Sequence, residues 1–221
     1  MNLQTTGGLA ALTCAGTYLF GFAFLVTLLA PLGFGTNQID INAAVAFTTE
    51  NPGLMITFNT VIYIVNALAL AVLVMALDAR LRGAAPNFSS LTRGFGMVWV
   101  TLVLAAGMVA NVAVERVTVL PSDAAVSLWQ TLHAVELGLG GGNEIAGGVW
   151  ITCICLMAWR ANGLAKPVCA LGLLAGGAGI VTLIPALGDV AGAVFGLGAI
   201  AWFLAVGLTF LWPDRKGGVP V

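Results

Sequence analysis

The residues able to do chemistry in this chain lie where an apolar environment should exclude them. The stretch Trp129 to Trp150, WQTLHAVELGLGGGNEIAGGVW, carries the one histidine, His133, three residues before Glu136. Glu144 follows eight residues after Glu136, behind Gly138, Gly140, Gly141 and Gly142. On a continuous helix, steps of three and four would align His133, Glu136, Gly140 and Glu144 along one stripe. If the glycines break that helix, Asn143 could cap a second one, with Glu144 in its first turn. Either way a carboxylate falls inside an apolar run. There an ionised group costs roughly 2.5–3.5 kcal/mol to insert and is a functional candidate by default.

Three roles fit these residue types. A histidine beside carboxylates can bind a ligand or relay a proton, because imidazole exchanges its proton near neutral pH. The same groups, His133, Glu136 and Glu144, could hold zinc or a transition metal. Their i, i+3 spacing matches carboxylate-bridged metal bundles in reversed order. The third role is structural, with Glu144 satisfied by neighbouring hydroxyls or amides and His133 at an aqueous face. A single histidine excludes bis-histidine haem within one chain. No GxSxG elbow, HExxH helix or nucleotide-binding loop is present, so no catalytic template and no cofactor is indicated.

Other polar residues interrupt the apolar runs. Asn59, Tyr63 and Asn66, at i, i+4 and i+7, share one helix face. They read either as interhelical hydrogen-bonding glue or as one wall of a polar cavity. Asn111 and Glu115, four apart, lie near the end of another apolar run. Glu115 taken alone is expected to reach the headgroups or pair with Arg116.

The elements that must position these groups follow from composition. Sixty per cent of the 221 residues are hydrophobic and 8 per cent charged, against roughly a quarter charged in ordinary globular domains. Lipid must therefore solvate most of the surface. The length leaves room for six spans of about 20 residues, each crossing a hydrocarbon core of about 30 Å, in a single domain. The apolar runs are expected at 8–32, 53–77, 94–114, 139–159, 168–187 and 190–212, with a short extra helix around Ala124–Leu137 on the outer face. A barrel is excluded, because its strands alternate polar and apolar over about ten residues and these runs are apolar all round. The N-terminal run reads as a retained span and not a cleaved signal, being longer than a signal's apolar core.

Basic residues orient the layout. Arg80, Arg82, Arg93, Arg160, Lys166, Arg215 and Lys216 fall on one side and Arg116 on the other, which predicts both termini in the cytoplasm. A net charge of −1 argues against a nucleic-acid partner. Cys14, Cys153, Cys155 and Cys169 lie in apolar runs without metal or redox spacing and read as packing residues. Gly172 and Gly176 share one face, and Gly188, Gly192 and Gly196 another. Such stripes predict close helix packing, within a hairpin or between subunits.

GLGGGNEIAGGVW, the short basic loop after it, GLLAGGAGIVTLIPALG, the opening GGLAAL and the segment MVANVAVE together resemble a bacterial family of six-span membrane proteins catalogued as a domain of unknown function. The resemblance implies six spans and adds weight to Asn143 and Glu144, and it carries over no catalytic residue or substrate; the chain is expected in a bacterial cytoplasmic membrane. Function is accordingly expected in an outward-facing polar pocket of Asn59, Tyr63, Asn66, Asn111, His133, Glu136 and Glu144, binding or translocating a small molecule or proton. An accessory subunit of a larger membrane complex, a homo-oligomer and a membrane-embedded metalloenzyme stand as alternatives.

Overall fold

A computed structural model describes residues 2–34, 39–141 and 144–212. All regular structure among them is helical. In chain order the helices are α1 (Leu3–Phe24), α2 (Ile41–Glu50), α3 (Pro52–Asn59), α4 (Asn66–Leu81), α5 (Pro86–Val117), α6 (Ser122–Glu136), α7 (Ile145–Ala161), α8 (Lys166–Val181) and α9 (Gly188–Leu211). Three π-helical turns extend or join them: Leu25–Leu29 after α1, Thr60–Val65 between α3 and α4, and Leu137–Gly141 after α6.

Five helical stretches are long and apolar enough to cross a membrane, namely Leu3–Leu32, Pro52–Leu81, Pro86–Val117, Ser122–Ala161 and Pro185–Leu211. That is the architecture of a multi-pass membrane protein. The expected fifth span, α8, has 16 residues. At 1.5 Å per residue it is about 24 Å long, short of the full hydrocarbon core. The third span begins at Pro86, eight residues before the boundary read from hydropathy, because Pro86 starts a helix readily and the polar first turns lie beyond lipid. The anticipated extra helix is α6, which runs back along α5 before α7 completes the crossing.

Local chemistry accounts for the boundaries. The Asn2 side chain accepts from Thr5 N–H at 2.8 Å and so caps α1, and Asp40 does the same for α2 through Ala43 N–H at 3.0 Å. Pro52, Pro86 and Pro167 occupy first turns, where a missing N–H costs nothing. Asn162, in the left-handed region at φ 51°, ends α7.

One end of the bundle is packed and carries the described basic residues other than Arg116. Arg80 Nε donates to Gly163 O at 2.8 Å and its guanidinium lies over Phe210, tying α4 to the α7–α8 turn and α9. Beneath it, the buried Asp78 accepts from Ser89 Oγ at 2.5 Å and pairs with Arg82 and Arg93. Inward of this end, Trp99 stacks on Phe203 at 6.4 Å and meets Trp150 at 5.7 Å, and Trp150 meets Trp202 edge-on at 5.7 Å. Rings of this size fill the centre of the bundle as a wide apolar plug.

The glycine stripes part company here. Gly148, Gly176 and Gly179 bring the α7 and α8 backbones into contact, and Gly172 faces Cys155 and Trp202. Gly192 and Gly196, expected to pack as well, have no atom within 4 Å of where a Cβ would stand. Their side of α9 borders empty space.

Candidate functional site

Above the plug the helices splay around a cavity of about 870 Å³. All three π-helical turns face it: Leu25 and Leu29 from the first, Ile62 and Tyr63 from the second, Leu137 and Gly140 from the third. A π turn inserts one residue into a helical ladder and turns side chains to a new bearing, and such turns concentrate at functional sites. The second holds Tyr63, which lines the cavity together with Asn59 and Asn66.

The polar head of the cavity is a three-residue chain. Tyr63 Oη donates to Glu136 Oε1 at 2.5 Å, and Glu136 Oε2 lies 2.8 Å from His133 Nδ1. For an ionised Glu136 accepting through both oxygens, Nδ1 carries the proton and Nε2 of the neutral ring is an acceptor. Nε2 is buried and has no partner among the described residues. The imidazole is held flat on Trp129, one turn earlier on α6, with ring centroids 4.5 Å apart, and Phe34 meets it edge-on at 6.0 Å. Trp129 in turn belongs to a small apolar cluster with Ala44, Val45, Val117 and Ala125, which packs α6 and α2 against the end of α5. Gly107 on α5 lets Tyr63 reach Glu136, since a Cβ there would stand 2.5 Å from Tyr63 Cβ.

Glu144 enters from the opposite side. The stripe expected of a continuous helix is broken at Gly140, whose φ of 129° only glycine adopts readily. Glu144 itself occupies the N-cap position of α7 and not its first turn; Asn143, the anticipated cap, lies outside the described residues. The Glu144 backbone N–H donates to Thr182 Oγ1 at 3.2 Å, fixing it against the end of α8. Its side chain lines the cavity at the positive end of the α7 dipole, within electrostatic reach of Tyr18 and Tyr63.

The remaining candidates divide. Asn66 Nδ2 donates to Thr17 Oγ1 at 2.7 Å, bonding α4 to α1 at the cavity floor. Asn59 lines the cavity, is 5% exposed and has no side-chain hydrogen bond among the described residues. Asn111 donates to Thr60 Oγ1 at 3.2 Å and lies behind the wall. Glu115 is exposed on α5, away from the cavity. Among the described residues no three His, Cys, Asp or Glu side chains converge as a metal ligand set. Tyr18, Thr17 and Asp189 also line the cavity. Hydropathy gave no hint of Thr17 and Tyr18, each a single mildly polar residue in a long apolar run.

Compared with known proteins, the chain matches no family model, no curated protein and no solved structure. Function is therefore inferred from the site itself.

Proposed function

We propose that this chain is a multi-pass protein of a bacterial cytoplasmic membrane that binds a small molecule in an outward-opening pocket and holds an exchangeable proton there. The orientation rests on the basic end, which the preference of cytoplasmic loops for Lys and Arg places inside. The observation that carries the proposal is the Tyr63–Glu136–His133 chain at the wall of a large cavity. Cavities of roughly 300–1,000 Å³ with a few convergent polar groups are the usual form of a ligand site. In this scheme Glu136 orients the imidazole and accepts from Tyr63, His133 exchanges the proton, and Glu144 anchors the ligand's polar group.

The stacked Trp129–His133 pair offers a direct test. Charging an imidazole in contact with an indole changes the indole's fluorescence. Purified protein scanned between about pH 4 and 10 should show a tryptophan transition that is lost in Trp129→Phe and displaced in Glu136→Gln. An identical transition in all three proteins would refute the proton-holding role.

A further inference from the structure

We infer that the pocket takes a lipid-soluble organic cation, an amine or related cation on an apolar aromatic body, admitted sideways through the seam between α1 and α9. This rests on the cavity being a ligand site. The route comes from how the two helices meet. They pack closely where Gly8 meets Phe210 and Leu211 and where Leu12 meets Gly207, and their rings meet at Tyr18 and Phe203, 5.9 Å apart. Further along, residues of both helices line the cavity. Gly21 faces only Ile62, and Gly192 and Gly196 face nothing within 4 Å. Phe22 on α1 and Leu197 on α9 line the cavity and are 52% and 58% exposed on the outside. Both lie well inside stretches long and apolar enough to span the membrane. The cavity thus reaches the bundle's flank between two apolar lips, where lipid and not water is the neighbour.

The charge of the ligand comes from the lining. Glu136, Glu144 and Asp189 contribute carboxyl groups, and among the described residues no Lys or Arg lines the cavity. The imidazole in that lining, His133, is already bonded to Glu136, so an anion would face an excess of carboxyl groups, and a neutral hydrocarbon would offer nothing to Asn59, which has no side-chain hydrogen bond among the described residues. A cation bearing N–H groups satisfies both. The rings of Tyr18, Phe58 and Trp99 also border the cavity, and an aromatic ring attracts such a cation through its quadrupole. The glycine face of α9 leaves a smooth surface for its flat body.

The test is equilibrium binding to the full chain in lipid nanodiscs, with empty nanodiscs subtracted. The probes are rhodamine 6G as an aromatic cation bearing N–H groups, Nile red as a neutral dye and anilinonaphthalene sulfonate as an anion. Rhodamine 6G should bind saturably, and Glu144→Gln should weaken it by about thirtyfold or more, as loss of one buried charge partner does. Gly196→Leu, whose Cβ would have nothing within 4 Å and whose side chain would enter the space beside α9, should also weaken it while leaving the unfolding temperature near that of the parent. Saturable binding of Nile red or the anion, unaffected by Glu144→Gln, would overturn the cation assignment and leave the pocket standing. Saturable binding of none of the three would overturn the pocket as well. Rhodamine binding untouched by Gly196→Leu would refute the seam.

Discussion

Replacing Gly107 with alanine should disconnect Tyr63 from Glu136 without altering either residue. The added Cβ would stand 2.5 Å from Tyr63 Cβ and 3.2 Å from Ile64 Cγ1. Carbon atoms rest at about 3.5–4.0 Å, so the π turn must retreat from α5 by about 1 Å. Glu136 does not retreat with it, because α6 is docked on α5. The 2.5 Å hydrogen bond then opens to about 3.5 Å, beyond the useful range. Overpacking costs about 1–3 kcal/mol and a lost hydrogen bond to a charged group about 1.5–3 kcal/mol. Part of this is recovered as α5 and the turn relax, leaving a loss of about 2–4 kcal/mol. For a chain of this length that lowers the unfolding temperature by on the order of 10 °C. The assay is thermal unfolding in mild detergent followed by tryptophan fluorescence, with Gly94→Ala as the control. Gly94 also lies on α5 but has nothing within 4 Å, so alanine there should be neutral or stabilising by up to about 1 kcal/mol. Equal unfolding temperatures for Gly107→Ala and Gly94→Ala would refute the close approach and the role assigned to Gly107.

Further outcomes follow from other contacts. Gly148→Ala places a Cβ 2.7 Å from Gly176 O and Ile180 N; backbone cannot step aside as a side chain can, so this variant should be poorly folded. Gly192→Ala should melt like the parent protein, and a size-exclusion profile in detergent compares the two. Asp78→Ala removes the carboxylate that Ser89, Arg82 and Arg93 hold at the basic end. It should lower stability by about 1–3 kcal/mol, chiefly through the lost hydrogen bond with buried Ser89, read as an earlier thermal transition, and no change would show that this cluster is ornamental to the fold. A single cysteine at Val119, 73% exposed at the far end of α5, should react with a membrane-impermeant maleimide on intact cells. One at Gly83 should react only after lysis, and the reverse pattern would invert the proposed orientation.

Much of the site was legible as chemistry and little of it as geometry. His133, Glu136 and Glu144 announce themselves because lipid penalises ionisable groups, and Tyr63 because it keeps helical spacing with two asparagines. Their partnerships were not legible. Tyr63 and Glu136 are 73 residues apart, and no local spacing encodes a bond across two helices. Helical spacing also assumes an unbroken α-helix, whereas the chain turns through a π segment at Tyr63 and breaks at Gly140. The glycine stripes carry the same lesson. Gly172 and Gly176 pack, Gly192 and Gly196 do not, and their sequence pattern is identical. A small residue permits close approach, but whether a neighbour arrives depends on how the rest of the bundle packs.

From sequence alone come the all-helical class, the multi-pass habit and the accumulation of basic residues on one side. Each depends on a property summed over many residues: lipid leaves backbone groups no outside partner, so long apolar runs must close their own hydrogen bonds as helices. Tertiary structure alone decided that the polar residues of α3–α4, α6 and α7 meet around one cavity, that His133 is held by Glu136 and Trp129, and that α9 turns a bare glycine face inward. These depend on how helices far apart in sequence pack side by side, and that is set by the shapes of a few large rings and small residues, which no single helix records.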